Sequence, residues 1–296
     1  MDGFVLPPGL VRPPGEAPAY DAWLAALPQA VAGLADRWSL RLGPPFLPGG
    51  SSAWVAPAAA ADGDPAVLKV GWVHDEAEHE ADGLRAWDGR GTVRLLRAHR
   101  DGPAQALLLE PCRPGVPLER VLPGPEQDAV LAGLLRQLWI TPPPGGPFRP
   151  LSEMCAAWAR NFAADYAICR ALGRDQVDPG LARAAMALFR ELPATAPDNV
   201  LLITDLHHLN VLASEREPWL AIDPKPYTGD PAYDVLQHMI NFPERLAADP
   251  AGFAARMAGL TGLDAGRVRL WLFARCVHGS LEQWPLLRAV AARLAP

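Results

Sequence analysis

The 296-residue chain is short of lysine: of its 27 lysines and arginines only Lys69 and Lys225 are lysine. Arginine replaces lysine freely on a solvated surface, but not where a compact ammonium must enter a tight anionic site. The two exceptions therefore point to places where chemistry demands an amine; compositional drift is the competing explanation. Cysteine is also sparse. Cys112, Cys155, Cys169 and Cys276 never form a C-x-x-C pair, which excludes a zinc ribbon or a disulfide framework and implies reduced thiols in a cytoplasmic protein. No apolar run reaches the roughly 20 residues of a membrane-crossing helix. The opening MDGFVLPPGLVRPPG has neither the basic segment nor the continuous apolar segment of a secretory signal. Basic charge is in deficit, 27 residues against 33 acidic ones for a net charge of -6. That balance argues against nucleic acid or an anionic membrane as partner; it suits a cationic small-molecule substrate but is also the mild acidity ordinary for a soluble cytosolic protein. Two signatures are missing outright, the phosphate loop G-x-x-x-x-G-K-[ST] and the nucleophile elbow G-x-S-x-G.

What is present has a clear order. A Pro-rich start gives way to a helical pattern in DAWLAALPQAVAGLA. Short strand patterns follow in WSLRLG, SAWVAP and AVLKVG, an antiparallel meander punctuated by Pro44–Ser52 and by Asp62-Gly63-Asp64-Pro65. HDEAEHEADGLRAW reads as a helix, and TVRLLRAH and AQALLLE as two more strands. Beyond Glu110 helical stretches dominate, at 125–140, 151–172, 178–192, 231–241 and 265–294, interrupted by the short apolar runs NVLLIT, NVLA and WLAID. The pattern predicts an α+β protein: an antiparallel N-terminal lobe carrying one helix over residues 1–110, and a larger, mainly helical lobe over 111–296. Glu110–Gly115 is the natural linker.

The chemistry concentrates in Asp205-Leu206-His207-His208-Leu209-Asn210 and in Ala221-Ile222-Asp223-Pro224-Lys225. Both lie at the ends of predicted strands, where a rigid scaffold presents reactive groups. A strand–turn–strand connection of this length can bring Asn210 and Asp223 to one hard cation as oxygen ligands. It leaves Asp205 to orient or deprotonate a hydroxyl. His207 and His208 beside Asp205 suggest a transition-metal site less well, because three donors within four residues rarely face one ion.

The spacing matches the protein-kinase catalytic loop and its metal-binding aspartate. The segments EHEADGLRAWDGRGTVRLL, ALLLEPCRPGVPLE, DLHHLNVL and EPWLAIDPKPYTGDPAYDV, in this order, resemble the aminoglycoside phosphotransferase family. Within it they are closest to the streptomycin 6-phosphotransferase and hydroxyurea phosphotransferase subgroup. The resemblance spans about residues 38–241 and implies a protein-kinase-like bilobal fold and transfer of the ATP γ-phosphate, with Mg2+, to a hydroxyl of a small molecule. It implies Asp205 as the catalytic aspartate, Asn210 and Asp223 as metal ligands, and Lys69 as the lysine on the phosphates. Glu80 becomes that lysine's partner, with Glu76 and Glu78 competing. Gly50, Ser51 and Ser52 form the turn that approaches phosphate, and the segment from Glu110 to Cys112 meets the adenine edge. Lys225 either neutralises the transferred phosphoryl group or is an exposed cation beside Asp230 or Asp234. Those two acids are expected to tie the catalytic loop to the next helix. Asp165, Tyr166, Glu282 and Trp284 are weaker candidates for contact with the acceptor.

The chain departs from the family at Ile203-Thr204, where His-Gly is usual, and threonine constrains the backbone just before Asp205. An inactive nucleotide-binding relative, or a kinase for another small metabolite, are the alternatives this leaves open.

Overall fold

The computed structural model describes residues 4–10, 17–173, 177–281 and 285–296. The chain forms two compact units, Met1–Gly115 with Ala213–Leu220, and Val116–Leu212 with Ala221–Pro296. The short return of 213–220 to the first unit has no counterpart in a simple division near residue 110.

The first unit begins with α1 (Ala17–Trp38). It continues through β1 (Arg41–Leu42), β2 (Ala53–Ala59), β3 (Pro65–Trp72), α2 (Glu80–Trp87), β4 (Leu95–Asp101) and β5 (Ala104–Leu109). The strands make one antiparallel sheet in the order β1-β2-β3-β5-β4. Strict alternation along β3 sends Ala66, Leu68, Val70 and Trp72 into a core shared with Tyr20, Trp23, Leu27 and Val31 of α1. Burying Leu68 and Val70 contributes about 1.5–3 kcal/mol each. The same alternation puts Lys69 on the opposite face of the sheet. Helix α2 is shorter than the sequence pattern suggests, because residues 75–79 form turns and the helix starts only at Glu80.

The second unit contains α3 (Gly124–Leu138), α4 (Leu151–Ala171), α5 (Pro179–Ala194), β6 (Val200–Leu202) and the outer ends of the hairpin β7 (Val211–Ala213) and β8 (Trp219–Ala221), whose remainder, 213–220, belongs to the first unit. Strand β9 (Tyr227–Gly229) and helices α6 (Pro231–Asp234), α7 (Leu236–Ile240), α8 (Pro243–Ala248), α9 (Pro250–Thr261), α10 (Ala265–Gly279) and α11 (Pro285–Leu294) complete it. Strand β6 pairs antiparallel with β9, and β7 with β8, so the catalytic-loop candidates are held between two small ribbons. The long helical stretch at 265–294 is in fact α10 and α11, and α9 precedes it in a segment with no strong periodic signal. Local chemistry sets these ends. Asp249 and Asp264 accept the backbone N–H groups of Gly252 and Arg267 to cap α9 and α10. Gly262 at φ +79 stops α9. Among the described residues no helix is long and apolar enough to cross a membrane.

Candidate active site

In the first unit the Lys69 ammonium lies 2.7 and 2.8 Å from the two carboxylate oxygens of Glu80. Glu80 is the first residue of α2, where the helix dipole favours an anion, and it is 4% exposed. The geometry thus selects Glu80 over Glu76 and Glu78. The Gly-Gly-Ser-Ser turn leads into β2. Gly49 takes φ +84, and a Cβ there would come within 2.5 Å of Pro7. Behind the turn, residues 4–10 are fastened by the Gly9 N–H on the Pro48 carbonyl (2.8 Å). The Trp54 indole N–H donates to the Val5 carbonyl (3.1 Å), and Phe4 stacks on Trp54. Gly50 and Ser51 are exposed and Ser52 is half-buried, with nothing in the space a Gly50 side chain would occupy. At the end of β5 the Glu110 N–H donates to the Arg94 carbonyl, and the Arg94 N–H donates back to the Glu110 carboxylate. Cys112 is a half-buried thiol whose pKa burial pushes up to about 11.

In the second unit Asp205 follows β6, and its carboxylate lies 2.7 Å from the Lys225 ammonium. Asn210 donates its side-chain N–H to the Asp205 carbonyl (3.1 Å), which commits the amide nitrogen and leaves the amide oxygen as a ligand atom. The Ile222 N–H donates to the Asn210 carbonyl (2.9 Å), so Asp223 is fixed one residue from Asn210's own backbone. Burial pushes the His207 imidazole below its ordinary pKa; Asp205 and Asp223 oppose this, while Lys225 adds to it. All three charged groups therefore act on one side chain, and His207 is neutral near pH 7. Burial, then His207, lowers His208 to about 4; it packs on the Phe242 ring at 4.5 Å.

Thr204 sits at φ +54, where a β-branched residue costs about 1–2 kcal/mol. Its hydroxyl donates to the Lys225 carbonyl, and its N–H donates to the Asp234 carboxylate at 2.8 Å. A hydrogen bond to a charged group contributes about 1.5–3 kcal/mol, enough to offset the strain. The backbone conformation that glycine would supply is thus adopted by threonine.

Asp234, 1% exposed, also accepts from the Ile203 N–H and the Trp139 indole N–H, both at 3.0 Å. It ties the catalytic loop to α6, as expected. Asp230 behaves differently: it caps α6 through the Ala232 N–H, and it binds the Arg267 guanidinium and the Trp271 indole N–H of α10. Neither acid pairs with Lys225, whose ammonium goes to Asp205.

Sequence reasoning overlooked two residues. One is Arg216, at the tip of the β7–β8 hairpin. The other is Asp128, which occupies the buried face of α3 in step with Leu131, Leu135 and Leu138. An acid on such a face is a readable signal, because it requires partners. Asp128 receives His238 Nε2 (2.8 Å), Arg245 (3.0 and 2.7 Å) and Arg256 Nε (2.7 Å). Burial alone would raise its pKa, but those hydrogen bonds overcome it and hold the carboxyl well below the usual carboxylate range. A depressed carboxyl contributes stability above its unfolded pKa and loses it as pH falls. Asp128→Asn is accordingly expected to cost about 3 kcal/mol at pH 7. The gap to the unsubstituted protein should narrow below about pH 4, as read by denaturant unfolding at both pH values.

Of the candidates for acceptor contact, Asp165 is exposed on α4, while Tyr166 stacks on Phe162 and donates its hydroxyl to the Val177 carbonyl. Glu282 and Trp284 lie outside the described residues.

An antiparallel sheet with a Lys–Glu pair, followed by a helical unit whose loop presents aspartate, asparagine and a second aspartate in that order, defines a protein-kinase-like phosphotransferase. A family profile described as aminoglycoside/hydroxyurea antibiotic resistance kinase matches residues 37–283. Hydroxyurea phosphotransferase of Kitasatospora aureofaciens is 39% identical over 88% of this chain and 74% of its own. Streptomycin 6-kinase of Streptomyces griseus is 37% identical over 88% and 84%. Among solved structures, aminoglycoside phosphotransferase APH(3'')-Id from Streptomyces rimosus, in complex with ADP and streptomycin, superposes with a TM-score of 0.54. It is 18% identical and covers 88% of this chain and 99% of its own. The chain belongs to the aminoglycoside/hydroxyurea antibiotic resistance kinase family, and it is a small-molecule kinase with a nucleotide as phosphoryl donor.

Proposed function

We propose that this kinase transfers the γ-phosphate of ATP to a hydroxyl of hydroxyurea or of a streptomycin-like aminoglycoside in the cytoplasm. The observation that carries the reading is the Asp205–Lys225 pair beside Asn210 and Asp223. Asp205 accepts the hydrogen bond of the acceptor hydroxyl, aims its oxygen at the γ-phosphorus and takes its proton. The new O–P bond forms as the bond to the β-phosphate oxygen breaks and ADP leaves. Lys225 holds the Asp205 carboxylate in place and supplies positive charge near the transferred group, where electrostatic stabilisation does most of the work. Lys69, oriented by Glu80, binds the donor's phosphates. Gly50, Ser51 and Ser52 offer backbone N–H groups and hydroxyls to them.

The donor set of Asn210 and Asp223 is all oxygen, which fits a hard divalent cation, and we assign Mg2+ there. When bound, the ion neutralises charge on the β- and γ-phosphates. The Glu110 carbonyl and the Cys112 N–H have no hydrogen-bond partner among the described residues, which supports this segment as the adenine contact.

The test is phosphate transfer from Mg-ATP to hydroxyurea, to streptomycin and to a panel of neutral and cationic hydroxyl compounds. Product with at least one of the first two is expected. ATP-dependent thermal stabilisation without product from any acceptor would instead identify an inactive nucleotide-binding relative.

A further inference from the structure

We propose that Arg216 is a positioning residue for the nucleotide base: it clamps the 110–112 segment so that the Glu110 carbonyl and the Cys112 N–H face adenine. The inference rests on the adenine-contact reading given above. Arg216 lies 106 residues from Glu110 in sequence, at the tip of the hairpin that returns to the first unit. Its guanidinium grips the Glu110 carboxylate bidentately, Nε to Oε1 at 2.8 Å and Nη2 to Oε2 at 3.2 Å. Nη1 also donates to the Gly89 carbonyl (2.7 Å) and to Glu217 (2.8 Å), and Nη2 donates to the Thr92 carbonyl (2.8 Å). One planar fork thus joins the adenine segment to the loop after α2, the helix that carries Glu80.

The carboxylate of Glu110 is shared between Arg216 and the Arg94 N–H, and its own N–H is taken by the Arg94 carbonyl. Every polar group of Glu110 except its carbonyl oxygen is therefore committed. The far end of the segment is held by the same hairpin, since the Gly115 N–H donates to the Ala213 carbonyl at 3.0 Å. Gly115 takes φ +69, and a side chain there would meet the Cys112 carbonyl at 2.8 Å, so the turn is tight as well as anchored. Arg216 and Glu110 are largely shielded from water, with side chains 22% and 14% exposed, so the pair is less screened than a surface one. A lysine at 216 supplies charge at one point but cannot span the two carboxylate oxygens and two carbonyls together.

The hairpin also starts next to Asn210 and ends two residues before Asp223. The clamp residue is therefore continuous in sequence with the proposed metal ligands.

The experiment compares Arg216→Lys and Arg216→Met with the unsubstituted enzyme, varying ATP and acceptor separately and titrating ADP by calorimetry. The KM for ATP and the ADP dissociation constant should rise about tenfold in both variants, because the base loses its pre-set partners. The kcat and the acceptor KM should stay within about twofold, a split that a general loss of structure does not produce. Glu110→Gln should shift the ATP KM in the same direction and add little on top of Arg216→Met. If Arg216→Met does not fold, Arg216→Lys decides. Unchanged ATP KM in the folded variants, full rescue by lysine, or an equal loss of kcat and of apparent affinity for both substrates would each overturn the clamp. Failure of the unsubstituted protein to bind ADP would instead overturn the nucleotide reading on which the clamp rests.

Discussion

Asp205→Ala is expected to lower the rate of phosphate transfer by about 10³-fold, the effect of losing a positioned group that accepts the reacting proton. ADP binding should change little, because the proposed mechanism assigns Asp205 to the acceptor hydroxyl and the nucleotide to other residues. Steady-state transfer assays together with ADP titration separate the two effects. The substitution also releases Lys225, which lies 2.7 Å from the Asp205 carboxylate. Since that ammonium is 25% exposed, water can solvate it, and the fold should survive. Transfer that continues at near the original rate would remove Asp205 from the mechanism and shift the role to another group near His207.

Asp234→Ala is expected to damage both stability and turnover, although Asp234 is buried, at 1% exposure, and has no assigned role in the chemistry. The substitution orphans three buried donors, the N–H groups of Ile203, Thr204 and Trp139. Each orphan costs about 1–3 kcal/mol, partly offset because a buried charge is also removed. A net loss of roughly 3 kcal/mol is expected, or about 6–12 °C in Tm. Turnover of the folded variant should drop about 10²-fold, since the backbone that aims Asp205 loses its anchor. A variant with normal kcat would show that the loop holds its shape unaided.

The same carboxyl sets a pH signature. Burial raises the Asp234 pKa to about 6 against the pull of its three donors, and Asp230 adds to the rise. The native state therefore keeps this proton to higher pH than the unfolded chain does. The group's contribution to stability is full below about pH 4 and declines as pH rises to about 6, opposite in sign to Asp128. The loop, by contrast, needs the ionised form as acceptor, so kcat should fall as pH drops through about 6 while stability does not. Parallel pH profiles of kcat and of unfolding read both trends.

Much of the site was legible because its signals are local. Alternation in AVLKVG puts Lys69 opposite the buried Leu68 and Val70 without knowledge of any other strand. The spacing from Asp205 to Asn210 and Asp223 keeps its meaning because two short ribbons frame it. Other features were not legible, because they depend on where elements stop. The resemblance favours Glu80 as the partner of Lys69, but the competition from Glu76 and Glu78 is removed only by the turns at 75–79, which delay the start of α2. The concern over Thr204 was sound in its chemistry, since the residue does adopt φ +54. Its resolution lies in bonds to Asp234 and Lys225, 30 and 21 residues away.

Composition, periodicity and motif spacing determined the antiparallel-then-helical order of elements, the scarcity of lysine and the candidate residues for the chemistry. Each follows from side-chain types within a few positions of one another. Only the tertiary structure decided which acid each cation meets: Glu80 for Lys69, Asp205 for Lys225, Glu110 for Arg216 and Asp128 for Arg245 and Arg256. The physical reason is that a buried charge takes its partner from whatever the packed chain brings within about 3 Å, and over separations of 11 to 128 residues no local pattern encodes that proximity.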